Sequence, residues 1–134
     1  MTKFFLFLCD RLAAIGKPLG WDYYTASVYI CIHLWPLLCV AMSLVMLAVS
    51  ISTASALWIG LCSLYAMLNI FGYWVVVRHY YPGSIIGIFE RCRDDLIAIA
   101  DEWHTSYAVV NLVVYLELFA AIMSFDVLLI LLML

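Results

Sequence analysis

The feature that most constrains this chain is a run of 55 consecutive residues, Tyr23 to Val77, that contains no Asp, Glu, Lys or Arg. A helix needs roughly 20 apolar residues to cross the hydrocarbon core of a bilayer, which is about 30 Å thick. The run is therefore long enough for two crossings. Residues 50–55 are small and polar and suit a tight turn between them. We expect a first transmembrane helix over residues 28–49 and a second over residues 56–77.

A third apolar region covers residues 107–134 and contains only two charged side chains. The whole chain is 69% hydrophobic, whereas soluble domains average about 45–50%. These patterns predict an all-α integral membrane protein, in which residues 1–134 form a single three-helix transmembrane domain. Pro36 lies inside the first span, where it should kink the helix or free a backbone carbonyl.

Two amphipathic segments flank the spans. Residues 3–17 repeat apolar positions at helical spacing and end at Gly16, Pro18 and Gly20. Residues 84–104 form the clearest amphipathic pattern, with Ser84 as the expected N-cap. No Gly or Pro follows Gly87, so this helix is able to run on into the third span, with a bend near residues 104–106. Its apolar stripe consists of Ile85, Phe89, Cys92, Leu96, Ile99 and Trp103.

The polar face of the 84–104 helix is acidic, with two Arg and five Asp or Glu. Anionic lipid repels such a face, so the stripe is expected to meet protein rather than the membrane surface. We consider three occupants: the basic helix of residues 3–17 or other parts of the same chain, a partner subunit, and a second copy of the chain. The 4-3 spacing of the stripe resembles a coiled-coil seam.

Lys and Arg are distributed asymmetrically, with three in residues 1–22, three in residues 78–106 and none at the 50–55 turn or after the third span. The positive-inside rule places the first two segments in the cytoplasm. We therefore expect the N-terminus in the cytoplasm and the C-terminus outside. A bacterial inner membrane is the expected location.

The two charges of the third span, Glu117 and Asp126, are the first candidates for function because an acid inside the bilayer costs a few kcal/mol. Their nine-residue separation corresponds to about 13.5 Å along a helix and to opposite faces. One hypothesis is a proton or cation site at Glu117, with Asn69 of the second span beside it. The other is that a protonated Glu117 bonds to Asn69 or Tyr65 and joins helices.

Three histidines, His33, His79 and His104, are expected on the cytoplasmic side and are lesser candidates for haem or metal ligation. His33 lies about one turn inside the membrane, and no motif fixes the spacing of the three. The five cysteines contain no Cys-x-x-Cys pair, so we expect no disulfide framework or metal site from them.

Several classes of function are disfavoured. Six basic residues and a pI near 5.4 argue against nucleic-acid binding, and no catalytic motif indicates an enzyme. We expect a small membrane protein that acts by protein–protein contact, as an accessory subunit or an immunity or inhibitor protein, through helix 84–104 and the third span. One alternative is an oligomeric proton- or cation-conducting component that uses Glu117. The other is a pore-former, since the size and three spans resemble those of some phage holins, although the basic soluble tail usual in holins is missing.

Overall fold

The computed structural model describes residues 2–81 and 83–134, and every regular element within them is helical. The all-α prediction is thus confirmed. We number the helices along the chain. They are α1, Thr2–Gly16; α2, Tyr23–Ser52; α3, Ala56–Tyr80; α4, Ile85–Glu102; and α5, Tyr107–Met133.

Helices α2, α3 and α5 are long and apolar enough to span a membrane, as predicted, with 30, 25 and 27 residues. Helix α2 begins five residues before the predicted start at residue 28. The reason is that Asp22 caps it, with Oδ1 accepting the Thr25 N–H at 2.8 Å. It also runs three residues past the predicted end, and α3 likewise extends to Tyr80. Tyr23, Tyr24 and Tyr80 are therefore part of the helices, whereas Trp21 and Tyr81 lie just outside them.

Helix α2 widens into a π-helical segment, Tyr29–Leu34, just before Pro36. Pro36 has no N–H, and its ring would clash with the carbonyl one turn earlier in a regular helix. The widened segment relieves this conflict, since the Trp35 N–H donates to the carbonyl of Ile30, five residues back. The expected distortion at Pro36 is thus a π-turn. Helix α5 contains a second π-turn, Val113–Glu117, with no proline near it.

Helices α4 and α5 are two separate helices and not one continuous element. The chain turns at His104, which has a left-handed φ of 52°. The N–H of His104 donates to Asp101 and that of Thr105 to Ala100, which is the double hydrogen bond of a Schellman C-cap. Ser106 then starts α5, because its hydroxyl accepts the Val109 N–H. Two local caps therefore overcome the absence of Gly and Pro that favoured a continuous helix.

The helices pack at two ends of the bundle. At one end the side chains of Met46, Cys62 and Met133 join the three long helices. At the other end α1 and α4 pack against the start of α2, and we call this the α1/α4 end. Gly16 allows the close approach there, because a Cβ on it would lie 3.1 Å from the Cβ of Ala26.

Candidate functional site

The two acids of α5 lie in opposite environments. Asp126 is fully buried between helices, and its Oδ1 accepts a hydrogen bond of 2.9 Å from the Tyr65 hydroxyl of α3. Its other oxygen, Oδ2, is buried without a hydrogen-bond partner. A buried polar atom with no partner costs free energy, so this carboxyl both joins α3 to α5 and carries an unpaired oxygen.

Glu117 lies on the outer surface of α5. Its sequence neighbours Leu116 and Leu118 are also exposed, at 41% and 53%. Glu117 is the last residue of the π-turn, where the Leu118 N–H donates to the Val113 carbonyl, five residues back. Such π-turns occur frequently at functional sites. The acid therefore points away from the chain's own core, at an irregular point of the helix.

Asn69 does not reach Glu117. Its side-chain amide donates to the backbone carbonyl of Tyr65 in the same helix, at 3.0 Å. The hydroxyl of Tyr65, the other expected partner of Glu117, bonds to Asp126 instead. The structure thus brings Tyr65, Asn69 and Asp126 into one neighbourhood and leaves Glu117 apart.

The apolar stripe of α4 faces its own chain over most of its length. Ile85 and Phe89 pack against Val28 and Ile32 of α2, and Phe89 also makes edge contacts with two tyrosine rings of α2. Further along the stripe, a cluster around Val110 joins α4 to α5 and includes Cys92, Leu96 and Ile99. Trp103 is 57% exposed, so the end of the stripe remains open to a partner.

The three histidines lie in different surroundings. His33 uses both ring nitrogens in hydrogen bonds, with the hydroxyls of Tyr73 at 3.0 Å and Tyr81 at 3.1 Å. His79 contacts Asp95 of α4 at 3.3 Å, and His104 is exposed in the turn before α5. In residues 2–81 and 83–134, no three His, Cys, Asp or Glu side chains are grouped as metal ligands. His33 acts instead as a link between α2 and the end of α3.

The α1/α4 end also contains a partly open cavity of about 360 Å³, which the sequence did not predict. Its wall is built from α1, α2, α4 and α5 and is mostly apolar. Ser27 lines it with a buried hydroxyl that makes no hydrogen bond of ordinary geometry. Cys92 also lines it and shares a hydrogen bond of 3.0 Å with the Tyr115 hydroxyl. Burial raises the pKa of the Cys92 thiol above its ordinary value.

Linear spacing gave no sign of this cavity, because its polar groups come from four separate helices. The Tyr65–Asp126 pair was also missed, because the sequence does not show which faces of α3 and α5 meet. Comparison with protein-family models, with curated proteins and with solved structures finds no match for this chain.

Proposed function

We propose that the protein is an integral membrane protein that acts by lateral contact with another membrane protein, as an accessory or inhibitory subunit, with Glu117 in the contact. The observation that carries this proposal is the exposure of Glu117 on a helix long and apolar enough to cross a bilayer. The sequence also predicts a role in protein–protein contact. We now propose that α5, rather than α4, makes the main contact.

The depth of Glu117 makes its exposure costly. It lies ten residues after Tyr107 and sixteen before Met133, about 15 Å and 24 Å at 1.5 Å per residue. For an untilted helix, a hydrocarbon slab of about 30 Å then contains Glu117 wherever it falls along α5. An acid exposed to lipid at such depth costs roughly 2.5–3.5 kcal/mol on insertion scales. A partner that supplies a hydrogen-bond donor would offset this cost.

The chain itself offers no Lys or Arg near that level, because residues 23–77 and 94–134 contain neither. A second copy would place two Glu117 carboxyls together, which is unfavourable unless they are protonated. We therefore propose a different membrane protein, with a basic side chain or a hydroxyl or amide donor at this depth. The small exposed residues Ala120, Ala121 and Ser124 follow Glu117 on the outer surface and would let a partner helix approach closely.

Site-specific photo-crosslinking in the native membrane tests the proposal. A photoreactive residue at Ala121 should yield one discrete protein adduct, and the same residue at Met67, which is 67% exposed on α3, should not. Glu117→Leu should abolish the Ala121 adduct. Glu102→Gln, which removes an exposed acid outside the spans, should leave it unchanged.

Two results would contradict the proposal. An adduct that survives Glu117→Leu would exclude Glu117 from the contact. An adduct at twice the chain mass of 15.2 kDa would show that the partner is a second copy. The conducting alternative predicts a different outcome, since Glu117→Gln would then abolish a pH-dependent conductance while Gln still bonds to a partner.

We also propose that the α1/α4 end is cytoplasmic and that the membrane is a bacterial inner membrane. This orientation is supported by the positions of Lys and Arg, which are confined to α1, the turn after it, the end of α3 and α4. The turn between α2 and α3 has none. A single cysteine introduced at Ala54, in a chain whose five native cysteines are replaced, should react with an impermeant maleimide only from outside the cell. Reaction from the cytoplasmic side alone would reverse the assignment.

A further inference from the structure

The cavity at the α1/α4 end draws its wall from four helices. Its wall reaches from Arg11 and Arg93 to Trp35 and Leu116. Trp35 lies twelve residues into α2 and Leu116 nine residues into α5, about 18 Å and 14 Å at the helical rise. The space of about 360 Å³ is lined mostly by apolar side chains, with the two arginines among them. Such a lining suits the hydrocarbon chain of an amphiphile.

The charge of the wall is opposite to that of the whole chain. The chain has a formal net charge of −3, yet the cavity wall includes two arginines, Arg11 and Arg93, and no Asp or Glu. Both arginines lie on helices outside the three spans. Arg93 also contacts Asp94 at 3.1 Å, but both side chains of that pair are largely exposed, so the contact is weak and exchangeable.

A buried hydroxyl inside the wall lacks a well-formed hydrogen bond. Ser27 is 6% exposed, and its Oγ makes no hydrogen bond of ordinary geometry, although the Tyr23 side chain lies near enough to interact with it. Buried hydroxyls elsewhere in α2 are satisfied within the helix, as for Ser43 and Ser50, which donate to the carbonyls of Val40 and Leu47. The Oγ of Ser27 is therefore a polar group that a ligand in the cavity would satisfy.

We propose that this cavity binds one acyl chain of an anionic amphiphile, a long-chain carboxylate or a monoacyl phosphate, with its head between Arg11 and Arg93. The inference uses the membrane placement proposed above but not the contact at Glu117, so the two are able to fail separately. An apolar cavity offers an acyl chain little gain over the surrounding lipid. Selectivity must therefore come from the two arginines and Ser27, through charge-assisted and neutral hydrogen bonds.

Protection of cysteines from alkylation tests the proposal on the full chain in phosphatidylcholine nanodiscs. Cys9, Cys31 and Cys92 line the cavity, whereas Cys39 and Cys62 do not. Tetradecanoate should slow the reaction of the three wall cysteines with N-ethylmaleimide at least tenfold and leave the other two unchanged. Tetradecanol, which has the same chain and no charge, should protect at least tenfold more weakly.

Variants distinguish loss of the contact between the arginines and the ligand's head group from unfolding of the protein. Arg11→Gln combined with Arg93→Gln should raise the half-protecting concentration of tetradecanoate about tenfold or more. Lys17→Gln, an exposed cation beside α1 that is not in the wall, should not change it. Unchanged rates at Cys39 and Cys62 show that each variant is folded. Native mass spectrometry should count one tetradecanoate per chain, and Glu117→Leu should not alter that number.

The same titration with tetradecyl phosphate distinguishes the two sources of the anion. Stronger protection by the phosphate assigns the cavity to a lipid phosphate head, and stronger protection by tetradecanoate assigns it to a free fatty acid. Equal protection by tetradecanol and tetradecanoate would overturn the role of the arginines. No protection at the wall cysteines, together with no adduct in native mass spectrometry, would overturn the site itself.

Discussion

Tyr65→Phe isolates the hydrogen bond that joins α3 to α5. The substitution removes the donor to Asp126 Oδ1, and Oδ2 has no partner already, so the buried carboxyl would have neither oxygen paired. Leaving a buried polar group unpaired costs about 1–3 kcal/mol, while hydrogen bonds between membrane helices average about 0.6 and reach about 1.7 kcal/mol. Because Asp126 is fully buried, we expect a loss in the upper part of the second range, about 1–1.7 kcal/mol.

The assay is reversible unfolding in mixed detergent micelles, followed by tryptophan fluorescence. Asp126→Val removes both carboxyl oxygens but leaves the Tyr65 hydroxyl without its acceptor, whereas the double variant replaces the whole pair with apolar groups and should be close to neutral. In the Asp126→Val background, Tyr65→Phe should cost less than about 0.3 kcal/mol, so the double-mutant cycle should give a coupling of about 1 kcal/mol or more. Tyr24→Phe, at a ring that is 44% exposed, is the control and should be neutral. An equal cost of Tyr65→Phe in both backgrounds would refute the reasoning.

Three further predictions concern the α1/α4 end and the helix caps. His33→Phe should lower the free energy of unfolding by about 1–2 kcal/mol, because two tyrosine hydroxyls lose their partner; a neutral effect in the same micelle assay would contradict this. Ser106→Ala should cost about 0.5–2 kcal/mol as a lost N-cap and speed amide exchange at Val109, where unchanged exchange would show that the cap is not formed. The Thr25 N–H holds the pKa of Asp22 below its usual 3.8. Its capping contribution should therefore be present above that pH and be lost as the pH falls through the lowered value. The protection of the Thr25 amide, measured as its exchange rate relative to the intrinsic rate at the same pH, should therefore fall in acid, but not in Asp22→Asn.

The sequence predicted the long helices well because their signal is collective. A gap of 55 residues without charge is a strong hydropathy signal, and each of the three expected spans corresponds to a helix of suitable length. The boundaries shifted by up to five residues because caps such as Asp22 set them. A single capping side chain hardly changes the mean hydropathy of the segment, so hydropathy alone does not locate the helix end.

Of the two π-turns, the sequence indicates only one. Pro36 predicts the first, because a proline inside a helix removes a backbone hydrogen bond. The sequence did not indicate that the distortion would take the form of a π-turn. The second, at Val113–Glu117, follows no proline or glycine. Likewise, the break at His104 uses a left-handed residue that is not glycine. The hydropathy pattern therefore gives no sign of the second π-turn, and it does not detect the two local caps that end α4 and begin α5.

The spacing of the two acids of α5 predicts that they face opposite ways, but not which one is buried. Nine residues between Glu117 and Asp126 predict opposite faces, and the structure has one acid fully buried and the other on the outer surface. The spacing does not say which of them faces the bundle. That choice depends on Tyr65, whose hydroxyl is within reach of Asp126, and on a π-turn that ends at Glu117. Since the bundle satisfies one oxygen of Asp126 and none of Glu117, the acid with the greater need for an external donor is Glu117. A partner that pairs with it would gain most of its specificity from that one hydrogen bond, because the surrounding apolar surface is matched equally well by lipid.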